Sequence, residues 1–573
     1  MKKQILTTLA LFSSATAASL PGVLSGAQIG DWTTFDPAYC YENQCGEVLQ
    51  NTLDTLIFYQ GESSSRFVPA LAQSVPSKQN GGISTDGKTY TFKIKKNLKF
   101  ADGTPVRASD VAYSFKRLLV QNGGAAYLLS EALFGDSDGL SPDNKNLSFQ
   151  DVERAIEAPD DFTVVFRLKR PFAPFLAILA SPYVGSVYAK AAAIKAGAWD
   201  GQASSWQKFN ALADKDSPFQ KNVPVGSGPF VMERFDVGSL VVLKRNAVHW
   251  RKPSQIERVI LQVVRDPTTR MQMFMKGDVD FASFDPSQFD RILASNPDFK
   301  ATKPVPALGI DGIFMNHRIN GQGTGYLGSG QLDGKGIPAD FFSDVHVRKA
   351  LAYSLDYKTI INSIMQNHAI QMNSVLIKGL YSAAGKRLYT FDRDRATREF
   401  KAAFGGKVWQ NGFTLPIFYN SGNDVRKNIL GVLKSNVESL NPKFKLEIRE
   451  LPSSQIRAQR AQNQMTLWLG NWSADYADPY NFIQPLLHSQ GTLGSVQNIK
   501  NSTLDRLIEQ AGEETNTAAR NKLLSSIEKI AFDEVLGIPV FQGINIDIET
   551  GRVSGIVRNP VYAGYWYYPM VKK

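Results

Sequence analysis

Cysteine is nearly absent. The 573 residues hold two, Cys40 and Cys45, which excludes a disulfide-dense scaffold and a thiol-rich metal site. Histidine is scarce as well. The five, at 249, 317, 346, 368 and 488, are dispersed and form no His-Glu-x-x-His, so a zinc-protease signature is missing. No Gly-x-Ser-x-Gly elbow occurs. A formal Ser-x-x-Lys, Ser526-Ile527-Glu528-Lys529, sits inside a helical pattern with no Lys-Thr-Gly to complete it. Long apolar runs are missing too. The longest apolar neighbourhood, 171–179, is short and contains Pro171 and Pro174, so nothing there can span a bilayer. No segment of roughly twenty to fifty residues recurs, which excludes a repeat architecture. Together these absences leave no complete catalytic constellation, and the chain is read as a non-enzyme with no cofactor and no metal.

What is present begins with the N-terminus. Lys2 and Lys3 precede a short apolar stretch, 5–12, and Ala15-Thr16-Ala17 fits a small-x-small cleavage site. Residues 1–17 therefore read as a secretory leader. No cysteine stands at the cleavage site, so no lipid anchor is expected, and the mature protein is expected to be soluble outside the cytoplasmic membrane. In that export setting the two cysteines are most economically a local disulfide, Cys40 to Cys45, closing a small loop worth on the order of 2 kcal/mol. The net charge is +11, but the basic residues are scattered. The densest run, 93–99, alternates with Ile94 and Leu98 as a solvated strand face does. Nucleic acid is not expected as a partner.

The length calls for two or three domains. Short strands alternate with amphipathic helices throughout, which predicts α/β architecture. Residues 89–95 alternate Tyr90, Phe92 and Ile94 against lysines, a half-buried strand, with 163–168 as its partner. Val111, Phe115, Leu118 and Leu119 recur at helical spacing. Further strands are predicted over 239–244, 256–264, 309–316, 413–419, 444–451, 465–469 and 538–541. Helices are predicted over 268–276, 424–440, 504–510 and 518–532, and Ser343 is the expected cap of another. Residues 319–336 are dense in glycine and read as a loop. Asp136-Ser137-Asp138-Gly139 resembles a calcium loop in composition but lacks the bidentate Glu, so a solvated turn is expected.

Two segments carry more than composition. One is Gly470-Asn471-Trp472-Ser473-Ala474-Asp475-Tyr476-Ala477-Asp478-Pro479-Tyr480-Asn481-Phe482, a polar and aromatic loop closed by an Asp-Pro turn. The other runs from Gly87-Lys88-Thr89-Tyr90 through Ala101-Asp102-Gly103-Thr104-Pro105 to Asp110-Val111-Ala112-Tyr113-Ser114-Phe115. Around them stand Phe67-Val68-Pro69-Ala70-Leu71-Ala72, Val225-Gly226-Ser227-Gly228-Pro229-Phe230, Met275-Lys276-Gly277-Asp278-Val279-Asp280, Phe314-Met315-Asn316, Phe342-Ser343-Asp344-Val345-His346-Val347-Arg348 and Ile538-Pro539-Val540. In this order the chain resembles the extracytoplasmic solute-binding proteins of oligopeptide and dipeptide ABC transporters, from about Ile29 to the C-terminus.

The resemblance implies a two-lobe α/β fold of the periplasmic binding protein type 2 kind with an extra inserted small domain. It sets lobe I at 18–57, 186–316 and 540–573, the small domain at 58–185 and lobe II at 317–539. It also implies a monomer that closes on a peptide and delivers it to membrane permease subunits. Asp475 would hold the ligand's ammonium. Asn471, Trp472, Ser473 and Ala474 would offer a backbone edge, and Tyr419, Asn420 and Ser421 would face them. Two departures stand out. Arg107 occupies a position that usually carries a capping Thr or Ser. Tyr419 stands where the dipeptide-specific branch has an arginine for the ligand carboxylate, which points away from a strict dipeptide binder. Short oligosaccharides stacked on tryptophan, of which the chain has eight including Trp468 and Trp472, or another solute, are the alternative on the same fold, and a secreted peptide hydrolase is the alternative of another class. Nickel or haem binding would need histidine, and His488 is the one nearest the loop.

Overall fold

Alternation decides the first small sheet. β2 (Thr89–Lys93) buries Tyr90 and Phe92 and exposes Lys93. β4 (Thr163–Arg167) pairs with it antiparallel, Tyr90 opposite Phe166 and Phe92 opposite Val164, as the period-two pattern predicts. β3 (Ile156–Asp160) adds the third strand on the far side of β4. α2 (Ala108–Gln121) packs its Phe115 ring edge-on to Phe166, centroids 5.0 Å apart. The missing Thr or Ser at Arg107 is compensated from inside the helix. The Asp110 carboxylate accepts the Arg107 N–H at 2.9 Å, which is the return half of a capping box. The Asp136 carboxylate accepts from the Asp138 N–H and the Asn144 side chain, as a turn does.

The computed structural model describes residues 20–136, 138–210, 212–284, 288–372, 374–381 and 387–573. The expected leader, 1–17, lies outside the described residues. Two compact units emerge. Of the described residues, the first holds those within 20–170, 178–303 and 546–573, and the second those within 171–177 and 304–545. The chain enters the second unit at 303/304 and leaves it at 545/546. The reason is strand pairing. β15 (Ile538–Asn545) hydrogen-bonds with both β9 (Val305–Pro306) and β10 (Gly309–Met315), so all three belong to one sheet. Residues 58–185, apart from 171–177, group with the rest of the first unit.

The first unit is built on β1 (Val23–Gln28), β5 (Phe230–Asp236), β6 (Leu240–Arg245), β7 (Arg258–Val263) and β8 (Phe281–Ala282), in the order β8-β1-β7-β6-β5. β1 is parallel to both neighbours, and the others form antiparallel hairpins. α1 (Asn43–Thr52) and α3 (Pro267–Lys276) belong to this unit. Met271 and Phe274, from the predicted apolar stripe of α3, are buried. Cys40, ahead of α1, is joined to Cys45, in the first turn of that helix, with Cα atoms 5.9 Å apart.

The second unit's sheet has the order β9-β15-β10-β14-β12-β13, with β11 (Ala369–Gln371) also on β15. β12 (Phe413–Asn420), β13 (Phe444–Leu451) and β14 (Leu467–Ser473) follow the predicted strands. α4 (Val345–Ser354) is capped by Asp344 rather than Ser343. Asp344 accepts the His346 N–H at 2.8 Å and, through its other oxygen, the Phe404 N–H at 2.7 Å. Ser343 is absorbed in a preceding 3₁₀ turn. α5 (Asp424–Glu438), α6 (Tyr480–Leu487), α7 (Ser502–Glu513) and α8 (Thr517–Asp533) complete the unit. Its core gathers Ile313, Leu351, Leu415, Ile417, Leu433 and Leu467. Among the described residues no helix is long and apolar enough to cross a membrane.

Candidate functional site

The expected loop is partly strand. β14 runs on through Asn471, Trp472 and Ser473 because β10 accompanies it, Gly309 opposite Ser473 and Asp311 opposite Asn471. Pairing continues one residue further, where the Ala474 N–H donates to the Leu308 carbonyl at 2.7 Å. In an antiparallel ladder, alternate residues turn their main-chain groups toward the partner. The bonds at Ala474–Leu308 and Asn316–Thr466 make the even positions of β14 face β10. Asn471 and Ser473 therefore turn their N–H and C=O to the other side. There β12 pairs with β14 only at Ile417–Leu467 and Phe418–Trp468. Among the described residues no strand pairs with that edge from Leu469 to Ser473.

Asp475 follows at the strand's end, half-buried. Its direction is set by Asn481, a residue given no role from sequence. The Asn481 Oδ1 accepts the Asp475 N–H at 2.8 Å, and the Asn481 Nδ2 donates to Asp475 Oδ2 at 3.1 Å. Asn481 is only 3% exposed, at the first turn of α6. Trp472 Nε1 donates to the Asn481 carbonyl at 2.7 Å, so one asparagine ties two of the expected site residues together. Asp478 is the turn residue expected from Asp478-Pro479, and it does more. It accepts the Tyr480 N–H at 2.8 Å and a two-pronged bond from Arg520 at 2.7 and 2.6 Å. That clamp anchors the start of α6, and with it Asn481.

Asn420 and Asn471 meet at Arg426, which sequence reasoning passed over. Arg426 donates from Nη1 to Asn420 Oδ1 at 2.6 Å and from Nη2 to Asn471 Oδ1 at 2.8 Å. It also donates to Asp311 Oδ1 from Nε at 3.2 Å and from Nη2 at 2.8 Å. Burial raises the Asp311 carboxyl above its ordinary range, and Arg426 counteracts this only in part. An arginine thus stands beside this strand end although the expected position holds Tyr419. The only hint in sequence was its place in the first turn of α5, which folds back over β12. Tyr419 and Ser421 form a separate group around Glu450. The Tyr419 hydroxyl donates to Glu450 at 2.8 Å, and the Gly422 N–H at 3.3 Å. Hydrogen bonds from Tyr419 and Ser421 hold the Glu450 carboxyl below its usual range.

Two of the tryptophans that the oligosaccharide alternative could use are tied into the unit. Trp468 is 1% exposed and stacks on Phe314, centroids 5.7 Å apart. Trp472 is held by Asn481. Trp468 presents no open stacking platform, while Trp472 keeps part of its surface exposed. His488 has both ring nitrogens engaged. Nδ1 accepts the Gln490 N–H at 3.1 Å, and Nε2 faces Glu509 at 3.5 Å.

Comparison with known proteins agrees with this architecture. The chain is 27% identical to the probable D,D-dipeptide-binding periplasmic protein DdpA of Escherichia coli, over 96% of this chain and 94% of that one. It is 26% identical to heme-binding protein A of Haemophilus influenzae, over 92% and 88% of the two chains. The solved DppA of Helicobacter pylori, described as a periplasmic binding protein in complex with peptide STSA, superposes with a TM-score of 0.71 at 21% identity, covering 98% of this chain and all of that one. That likeness establishes the fold as the one inferred from the motif order. The model of the family covers residues 66–494. The chain belongs to the bacterial extracellular solute-binding proteins, family 5.

Proposed function

We propose that this protein is the exported receptor of a peptide ABC importer. It binds oligopeptides without turning them over and passes them to membrane permease subunits. The observation that carries the reading is Asp475, aimed by the buried Asn481 at the end of a strand whose free edge shows the main chain of Asn471 and Ser473. Mixed peptides share an ammonium, a carboxylate and a repeating backbone. A fixed carboxylate supports recognition of the first through a charge-assisted hydrogen bond, and an open strand edge supports recognition of the last by strand addition. Arg426 beside the same edge is a source of positive charge, although Asp311 already offsets it. The burial of Trp468 removes one stacking surface that a sugar would use. The leader expected at 1–17 supports a site of action outside the cytoplasmic membrane, and a monomer suffices.

Asp475→Asn tests the assignment, because it keeps the shape and removes the charge. Peptide binding should weaken by about 2 kcal/mol, roughly thirtyfold. Acetylating the peptide N-terminus should weaken wild-type binding similarly, while the variant should hardly distinguish acetylated from free peptide. Calorimetric titrations crossed as a double-mutant cycle read the coupling. Two penalties that simply add mean that Asp475 does not meet the ammonium.

A further inference from the structure

The first unit contains a cavity of about 240 Å³ that the peptide-edge chemistry does not use. It lies where the end of β1 and the start of α1 meet the C-terminal segment. Gln28, Gln44, Glu47, Phe281, Asp547 and Tyr565 are among its walls. Two glycines keep it open. A side chain at Gly564 would lie 2.5 Å from the Glu47 carboxyl carbon, and one at Gly26 would lie 2.1 Å from the Phe281 ring.

Glu47 is the unusual wall. It is 6% exposed. Its Oε1 accepts the Tyr565 N–H at 2.9 Å and the Tyr567 hydroxyl at 2.6 Å. No cationic side chain pairs with it, and Oε2 has no hydrogen-bond partner among the described residues. Asp547, the other acid, is matched already. It shares Arg558 with Glu549, and Arg558 lies against the Tyr565 ring. Among the described residues no lysine, arginine or histidine lines the cavity. The Gln28 Nε2 is buried without a hydrogen-bond partner, and a half-turn of the amide would put its oxygen there instead. The walls thus combine one unneutralised acid, amide groups and two aromatic rings, a set that suits an ammonium or guanidinium group.

We propose that this cavity is a binding subsite for a compact organic cation, an alkylammonium or guanidinium, with Glu47 as its counter-ion. That the cation arrives as a lysyl or arginyl side chain rests on the peptide-receptor reading; the chemistry of the cavity does not. Burial pushes the Glu47 carboxyl up to about 7, against the two hydrogen bonds it accepts. A cation entering the cavity favours the carboxylate, so binding near neutrality releases a proton from Glu47. Selectivity for the cation is therefore present above pH 7 and lost below it. Tyr565 and Tyr567 stay protonated across this range, since burial raises both, and Asp547 remains paired with Arg558.

The test uses tripeptides with one lysine at each position in turn of an alanine background, the isosteric norleucine peptides, and butylamine alone. Titration calorimetry is run at pH 6 and pH 8, and at pH 7 in two buffers of different ionisation enthalpy. One lysine position should be preferred over norleucine on the order of tenfold at pH 8, much less at pH 6, with proton release at pH 7. Glu47→Gln keeps an acceptor for Tyr565 and Tyr567 and should abolish both the preference and the proton release. Butylamine binding with proton release, together with failure of every tripeptide, supports the subsite and overturns the peptide reading. Lysine and norleucine peptides that bind equally at both pH values overturn the subsite and leave the peptide reading standing. A lysine preference that survives in Glu47→Gln also overturns the subsite, as does failure of all probes to bind.

Discussion

The two units bury charge in opposite ways. In the first, Asp36 and Arg117 are both fully enclosed, joined by paired bonds of 2.7 and 2.5 Å. Ser217 and the Ala38 N–H supply further donors. Burial would raise the Asp36 carboxyl, but Arg117 and these donors hold it below its ordinary value. Lys572 and Asp280 form a second enclosed pair at 2.8 Å. In the second unit, the pairs Arg426–Asp311 and Arg520–Asp478 keep 12–25% of their side-chain surface. They stand at strand and helix ends and aim other side chains. An enclosed pair fixes a scaffold, and removing one member strands the other. A marginal pair can relax into water, so its loss costs position more than stability.

The comparison breaks most sharply at Arg117. Arg117→Met leaves Asp36 buried without its counter-ion and should cost about 4 kcal/mol. Hydrogen exchange read by mass spectrometry should show lost protection across peptides of α2 and residues 34–40 first. An unchanged exchange pattern would mean that water reaches Asp36.

Opposite pH responses sharpen the contrast. The buried acid Glu47 has its carboxyl raised to about 7 by burial. The folded state therefore binds more protons than the unfolded chain between about pH 4.5 and 7, and stability falls as pH rises through that window. The loss is about 3 kcal/mol, and Glu47→Gln should remove it. In the second unit, burial with Arg348 nearby drives His317 down to about 3. That ring contributes stability that is complete above about pH 6.5 and lost as pH falls toward 3. The ring is half-buried, so the loss by pH 5 is about 1.5 kcal/mol, and His317→Gln should flatten it. Exchange protection followed from pH 7 to pH 5 should rise in peptides around α1 and fall in those around β10. Parallel trends in both would refute one assignment or the other.

Much of the fold was legible in local pattern. The alternation of Tyr90, Phe92 and Ile94 predicted a strand, and its partner at 163–168 followed from the same signal. The stripe at Met271 and Phe274 predicted the buried face of α3. What escaped depended on distant residues. Asp344 and Ser343 are both good caps, and only the contact to Phe404, sixty residues on, selects Asp344. Asn471 and Trp472 read as loop because nothing local shows that β10 pairs with them. The same long-range pairing sets the ends of the second unit at 303/304 and 545/546. Arg426 was invisible because its acid, Asp311, lies 115 residues away. Asp475 was found through the family motif, and Asn481, six residues later in that same motif, was missed because its role is purely geometric.

The smallest expected effect is the most telling for the second unit. Arg426→Lys keeps the charge but loses the planar fork that reaches Asp311, Asn420 and Asn471 together. One ammonium cannot hold three acceptors in these directions, and the freed groups lie close enough to solvent to be hydrated. The cost to stability should be about 1 kcal/mol or less, far below that at Arg117. The effect on position should be larger than the energy suggests. Asn471 lies on the open edge of β14, four residues before Asp475, so exchange should quicken in peptides covering 469–475 and hardly change in those covering α5. Peptide affinity should fall about threefold, with the Asp475→Asn penalty reduced in the Arg426→Lys background because the carboxylate's strand is no longer held. A loss of stability as large as that of Arg117→Met would show that Arg426 is scaffold after all, and the distinction between enclosed and marginal pairs would then fail.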